Sequence, residues 1–220
     1  GGRRVCPAGS YCPAGGFGPA GCPANAASPP GAGAVTDCHA RAGYYGPPGE
    51  AAAPCEAGSF CPEGALAPRP CPPHTTSRAA AAAVEECTAE PGFRGFPGAA
   101  ARRCDNNTYC PPGQESPLEC PPNTVSPAGS AVPSACLPVA GAFGPPGLAA
   151  QACPAGSYCP AAAPRPSECP VYTSSAAGAD ELADCKAIPG YYGPAGAAAT
   201  QCPAGSYCAG ARDAPAPCPA

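Results

Sequence analysis

The cysteines of this chain recur at fixed steps. From Cys6 the steps are 6, 10, 16 and 17 residues, and they repeat without insertion or deletion as far as Cys218. The chain is therefore a tandem array of a 49-residue module. The period gives the end of a preceding repeat (1–5), four full repeats (6–54, 55–103, 104–152 and 153–201) and a partial fifth repeat (202–220), numbered below as modules 1 to 5. Because both ends fall inside repeats, we expect a longer protein, with any leader outside this sequence.

Composition indicates that cross-links, and not a large apolar core, hold each module. Leu, Ile, Val and Phe together number 18 of 220 residues, whereas there are 19 cysteines and the net charge is only −4. A cysteine content of this order in a chain with few large apolar residues is typical of disulfide scaffolds. The predicted fold class is small disulfide-rich repeats: a linear array of modules with little regular secondary structure beyond short strands, turns and polyproline II segments.

Disulfides at this density require an oxidising compartment, so the sequence predicts a secreted, extracellular protein. No apolar run reaches the ~18 residues of a membrane span, and we expect no membrane contact from this segment. The 11 basic residues are scattered along the chain and form no basic patch. A nucleic-acid partner is therefore not expected.

Two segments of the module have clear local signatures. Between the first two cysteines, a Gly or Asn stands at a place that suits a left-handed turn: Gly9, Gly58, Asn107, Gly156 and Gly205. The end of each full module reads G-x-x-G-x-x-G, beginning at Gly43, Gly92, Gly141 and Gly190. Glycine every third residue, with proline between, predicts an extended Gly/Pro connector against which Tyr44 and its equivalents pack.

The prominent polar residues recur with the module, whereas a catalytic constellation would occur once, so no enzymatic activity is expected. His39 and His74 occupy different places in the module and have no partner at ligand spacing. Acidic residues precede the fourth cysteine of three modules: Asp37, Glu85 with Glu86, and Asp184. They could contact calcium weakly, although a solvated face is the preferred interpretation. We therefore expect no metal and no cofactor.

One N-glycosylation sequon is present, Asn106-Asn107-Thr108. It lies in the one module whose opening turn departs from the Pro-Ala-Gly-Ser-Tyr pattern or its close variant, and we predict an N-linked glycan on Asn106.

The opening motif, CPAGSYC in modules 1, 4 and 5, resembles the ephrin-receptor-like and TNF-receptor-like cysteine-rich repeats. It is especially similar to the long arrays of such repeats in protist and green-algal surface proteins, among them those that form mastigonemes, the hairs on algal flagella. The 37 prolines, many beside Ser and Ala, also resemble those of green-lineage hydroxyproline-rich extracellular proteins. That resemblance implies possible O-glycans on hydroxyproline or serine.

Four cysteines in a module allow three pairing patterns if bonds stay within the module. The resembling repeats often contain C-x-x-G-Y-Y-C where this chain has Ala40 to Gly46, so both cysteines of that unit are missing together. Their joint absence implies that they form a pair, and by analogy that the first cysteine of each module bonds the second and the third bonds the fourth. The implied bonds are Cys6–Cys12, Cys22–Cys38, Cys55–Cys61, Cys71–Cys87, Cys104–Cys110, Cys120–Cys136, Cys153–Cys159, Cys169–Cys185 and Cys202–Cys208, with Cys218 unpaired.

The expected function is structural. An array that permits no length change suggests that each module presents the same surfaces to its neighbour at the same rise and rotation, as a fibre requires. The resemblance implies the shaft of a glycosylated extracellular filament, such as an algal flagellar mastigoneme, whose partners are copies of itself or another filament chain, and glycans. The alternative is the stalk or ligand-binding ectodomain of a cell-surface receptor.

Overall fold

Each full module folds as a succession of three very short β-hairpins, which we call the opening, middle and closing hairpins. The computed structural model describes residues 5–15 and 18–218. The chain divides into two compact units, residues 1–103 with 110–116, and residues 104–109 with 117–220. The hairpins recur in the same order in both units, and every hairpin consists of two antiparallel strands of two residues each. Within the described ranges no α-helix is present.

The opening hairpin lies between the first and third cysteines of a module. Its strand pairs are Ser10–Tyr11 with Ala20–Gly21, Ser59–Phe60 with Arg69–Pro70, Thr108–Tyr109 with Leu118–Glu119, Ser157–Tyr158 with Ser167–Glu168, and Ser206–Tyr207 with Ala216–Pro217.

The middle hairpin follows the third cysteine and encloses a single turn of 3-10 helix. Its strand pairs are Ala26–Ala27 with His39–Ala40, Thr75–Thr76 with Thr88–Ala89, Thr124–Val125 with Leu137–Pro138, and Thr173–Ser174 with Lys186–Ala187. The 3-10 turns are Val35–Asp37, Val84–Glu86, Pro133–Ala135 and Leu182–Asp184.

The closing hairpin ends each full module. Its strand pairs are Tyr44–Tyr45 with Ala53–Pro54, Phe93–Arg94 with Arg102–Arg103, Ala142–Phe143 with Gln151–Ala152, and Tyr191–Tyr192 with Thr200–Gln201.

All three hairpins begin in the same way, with a residue in the left-handed backbone region immediately before the first strand. In module 1 these residues are Gly9, Asn25 and Gly43, with φ of 77°, 60° and 87°. In each case a backbone turn bond closes over the left-handed residue, from Ser10 N to Pro7 O, from Ala26 N to Pro23 O and from Tyr44 N to Arg41 O. Glycine and asparagine tolerate this conformation best, and in module 1 they stand at all three hairpin starts.

The predicted extended connector is wrong, because the G-x-x-G-x-x-G segment forms the first strand and the turn of the closing hairpin. Gly43 and Gly49 adopt φ of 87° and 84°. Polyproline II needs φ near about −75°, so these glycines break an extended path and reverse the chain instead.

Small residues fill the interior. The buried positions hold cysteine, alanine, serine and threonine, and the fully buried side chains of largest volume are Pro138 and ten cysteines. Ala40, Ala89 and Ala187 are buried at one equivalent place, and Ala52, Ala101, Ala150 and Ala199 at another. The prediction of small disulfide-rich repeats with little regular structure is confirmed, since such a core is too small to replace covalent cross-links.

A buried serine joins the opening hairpin to the middle one in every full module. The Oγ of Ser28 donates a hydrogen bond to the backbone carbonyl of Ser10 at 2.7 Å. Ser77, Ser126 and Ser175 make the equivalent bond to Ser59, Thr108 and Ser157. The side chain thus satisfies a carbonyl that faces the interior, where an unpaired polar group would destabilise the fold.

Candidate functional site: the junction between modules

The contacts between consecutive modules are made by backbone atoms and recur at every junction. At the first junction, Gly43 N–H donates to Cys61 O at 2.8 Å, Gly46 N–H donates to Ala65 O at 3.0 Å, and Gly64 N–H donates back to Ala40 O at 2.8 Å. The closing hairpin of one module is thereby fixed to the opening hairpin of the next.

The other three junctions repeat these bonds one period apart. The first bond recurs as Gly92 to Cys110, Gly141 to Cys159 and Gly190 to Cys208; the second as Gly95 to Gln114, Gly144 to Ala163 and Gly193 to Arg212; the third as Gly113 to Ala89, Ala162 to Pro138 and Ala211 to Ala187. All twelve distances lie between 2.7 and 3.0 Å. A junction made by backbone groups depends on chain length between them and hardly on side-chain identity.

Close backbone approach requires glycine at two of the donors of the first bond, Gly43 and Gly141. A Cβ placed on Gly43 would lie 2.5 Å from the carbonyl oxygen of Ala80, and one placed on Gly141 would lie 2.5 Å from that of Gly178. No carbon atom can approach a backbone oxygen so closely. Gly43 and Gly141 are therefore contact residues of their junctions, a role that the sequence pattern did not indicate.

The first junction bond is accepted by the carbonyl of a disulfide-bonded cysteine at every junction: Cys61, Cys110, Cys159 and Cys208. The structure bonds Cys6 to Cys12, Cys22 to Cys38, Cys55 to Cys61, Cys71 to Cys87, Cys120 to Cys136, Cys153 to Cys159, Cys169 to Cys185 and Cys202 to Cys208, with Cα–Cα distances from 5.6 to 5.9 Å. Cys104 and Cys110 are each disulfide-bonded as well. Cys218 is free and exposed. The eight bonds follow the first-to-second and third-to-fourth pattern implied by the resemblance.

The acidic residues before the fourth cysteine serve as local backbone acceptors. One carboxylate oxygen of Asp37 accepts from Gly33 N–H at 2.8 Å and from Ala34 N–H at 3.0 Å. Glu86 accepts from Ala82 N–H at 2.7 Å, and Asp184 accepts from the backbone of Asp180 and Glu181. The bond from Ala34, followed by that from Gly33, lowers the pKa of Asp37, and the bond from Ala82 lowers the pKa of Glu86. These side chains stabilise the start of the 3-10 turn.

The two histidines lie apart and in different surroundings. His39 pairs with Ala27 across the middle hairpin of module 1. His74 is a left-handed residue with φ of 60°, and its ring stacks on Phe93 at a centroid distance of 4.1 Å. Tyr172 stacks on Tyr191 in the same way in module 4. Each stack links a middle hairpin to its closing hairpin.

The equivalent residue in modules 1 and 3 is asparagine, which makes the link by a hydrogen bond. Asn25 Nδ2 donates to Ala52 O and Asn123 Nδ2 donates to Ala150 O, both at 3.0 Å. The same left-handed place thus accepts either an amide or an aromatic ring.

The sequon lies on an exposed turn. Asn106 is exposed, and its Oδ1 accepts a hydrogen bond from Ala128 N–H at 2.8 Å. Thr108 Oγ1 donates to Asp105 O at 2.7 Å. The structure therefore presents the predicted acceptor side chain at the surface.

Within residues 5–15 and 18–218, no group of three or more His, Cys, Asp or Glu side chains is placed to hold a metal ion. Over the same part of the chain, no helix is long and apolar enough to cross a membrane.

No family model matches the sequence, and no curated protein matches it significantly.

Proposed function

We propose that this chain is a structural subunit of a secreted, glycosylated extracellular filament, of the kind that forms the shaft of an algal flagellar hair. The recurrence of the same three backbone hydrogen bonds at all four junctions carries this proposal. Each module offers its successor an equivalent set of donors and acceptors, which is the local requirement for adding units in register.

The disulfide density indicates an oxidising, extracellular or secretory environment. Placement on a flagellar surface, glycans on Asn106 and on hydroxyproline or serine, and copies of this chain as partners belong to the proposal. The chain has no catalytic role in it.

Electron microscopy of the native material tests the proposal. Full-length protein isolated from the cell surface, and labelled with an antibody against this segment, should decorate filaments at regular intervals. Single unpolymerised particles that bind a soluble ligand would instead favour a receptor stalk or ectodomain and would exclude the filament.

The junction itself can be tested in the full-length chain by Gly43→Ala, with Gly58→Ala as the matched control. Both glycines have left-handed φ, 87° and 80°, but a Cβ on Gly58 would meet only Thr76 Oγ1 at 3.9 Å. The control should lower the free energy of unfolding by about 1–2 kcal/mol through the backbone alone. Gly43→Ala should lower it by roughly 1–3 kcal/mol more, because the module next to it must shift. Equal losses in a urea titration would mean that this contact does not hold the junction.

A further inference from the structure

A shallow groove recurs beside the middle hairpin. In module 2 it is lined by Thr76, Ser77, Arg78, Glu86 and Thr88. In module 4 it is lined by 174–179 together with Asp184 and Lys186, and in module 1 by 27–29 and His39 with Glu63 and Gly64 of the next module. In all three modules the residues that line the groove have polar or small side chains.

The equivalent face of module 3 is apolar. The cross-strand pair that is Ala27 with His39, Thr76 with Thr88, and Ser174 with Lys186 in the other modules is Val125 with Leu137 here. Val125 is 43% exposed and Leu137 is 38% exposed. Ala135 replaces the acidic residue of the 3-10 turn. Two directly opposed apolar side chains thus stand at the surface where every other full module has polar or small ones.

The sequon side chain is anchored at the rim of this face. Asn106 Oδ1 accepts its hydrogen bond from Ala128 N–H, and the equivalent of Ala128 in module 4, Ala177, lines the groove. The bond uses Oδ1 and not Nδ2, which is the atom that carries an N-linked sugar. In module 4 the same groove is lined by Ser174 and Lys186, the equivalents of Val125 and Leu137, so a sugar on Asn106 starts at the groove that contains the apolar pair.

We propose that the first sugar of an N-glycan on Asn106 covers the apolar pair Val125–Leu137, so that the glycan is part of the packing of module 3. The sequon and the apolar pair occur in the same module and in no other full module, as expected if the sugar covers the pair. The N-acetyl methyl and ring C–H groups of the sugar supply the apolar surface that removes these side chains from water. This inference rests on the secretory glycosylation contained in the proposed function.

The covalent step is ordinary N-glycosylation. Asn106 Nδ2 forms a bond to the anomeric carbon of an oligosaccharide, while the bond from that carbon to the pyrophosphate oxygen of a lipid-linked donor breaks. The amide loses one proton, and the lipid pyrophosphate leaves. Thr108 completes the sequon that this transfer recognises.

The other modules provide matched controls, because each needs one substitution to acquire a sequon at the same place. Ala155 is followed by Gly156 and Ser157, so Ala155→Asn in an Asn106→Gln background moves the glycan to module 4, beside Ser174 and Lys186. Val125→Ala with Leu137→His gives module 3 the Ala–His pair of module 1 and leaves Asn106-Asn107-Thr108 as its sequon.

The test uses the full chain from a eukaryotic secretory host, with its glycan trimmed to one N-acetylglucosamine. NMR should give nuclear Overhauser effects between the acetyl methyl of that sugar and the methyl groups of Val125 and Leu137. Asn106→Gln should lower the Tm by about 2–4 °C. Loss of the glycan should leave the Tm unchanged in the Val125→Ala, Leu137→His variant. Loss of the relocated glycan on residue 155 should likewise leave the Tm unchanged.

Two results would overturn the inference. An unmodified Asn106 peptide in mass spectrometry would show that no sugar is attached and would exclude this inference. The filament proposal would be unaffected, because it is tested separately by electron microscopy. An occupied Asn106 without those Overhauser effects, and with the same Tm loss in the Val125→Ala, Leu137→His variant, would mean that the glycan points away from this face.

Discussion

At the scale of single residues, backbone conformation restricts the choice of amino acid more than burial does. The turn that follows the first strand of the middle hairpin holds a left-handed residue at Gly31, Gly129 and Gly178, with φ of 86°, 79° and 82°. Module 2 has Ala80 there, with φ of 60°. An L-residue in this region costs roughly 1–2 kcal/mol, so the alanine is a local weakness in a module that otherwise matches its neighbours.

Ala80→Gly should therefore raise the stability of module 2 relative to Ala79→Gly, which introduces the same flexibility at a neighbouring exposed residue outside the left-handed region. The expected difference between the two variants is about 1–2 kcal/mol, in favour of Ala80→Gly. Hydrogen exchange at hydrogen-bonded amides of module 2, such as Gly58 and Cys61, would measure it. A difference near zero would mean that the left-handed backbone of Ala80 does not lower the stability of module 2.

At the scale of elements, three of the four 3-10 turns end in a carboxylate that stabilises the turn. Asp37, Glu86 and Asp184 accept backbone N–H groups at the start of the turn, and module 3 has Ala135 at that place. Module 3 is thus a natural comparison for the contribution of the carboxylate.

These carboxylates predict a pH dependence. The pKa of Asp37 and that of Glu86 are lower in the folded chain than their ordinary values of 3.8 and 4.5. The folded state therefore binds fewer protons than the unfolded state, and the stabilisation is complete above the ordinary values and lost as the pH falls through the folded ones. Hydrogen exchange at Gly33, Ala34 and Ala82 should accelerate relative to module 3 on acidification below pH about 4. In the variant Asp37→Ala, acidification should no longer accelerate hydrogen exchange at Gly33. If exchange at Gly33 still accelerates in that variant, another titrating group causes the effect.

Only part of this arrangement could be predicted from the sequence. The left-handed turn at Gly9 follows from glycine between two cysteines, and the small core follows from the scarcity of large apolar residues. The middle hairpin escaped prediction because Asn25, His74, Asn123 and Tyr172 share no residue type at its left-handed place. The closing hairpin was misinterpreted because glycine every third residue also fits polyproline II, and only the φ values distinguish the two. The buried serines recur every 49 residues in the sequence. Their carbonyl partners could not be predicted, because they lie 18 residues away.

At the scale of the whole molecule, the junction bonds predict which changes of length the chain tolerates. Deleting residues 55–103 places Cys104 directly after Pro54, so that Gly43 and Gly46 meet Cys110 O and Gln114 O instead of Cys61 O and Ala65 O. Deleting residues 55–102 leaves Arg103 as one additional residue and displaces the register. We expect the first variant to form a single set of disulfides and the second to form mixtures, as read by peptide mapping. Homogeneous pairing in both would mean that the modules fold without regard to their neighbours.

Because the contacts between modules are made by the main chain, any module can follow any other. A stretch of DNA that encodes one whole period can therefore be copied or lost by unequal recombination without creating a mismatched boundary, whatever point mutations it has collected. Under the proposed role, the span of the assembled hair would be inherited as a copy number, and populations could vary it in discrete increments without redesigning a single interface.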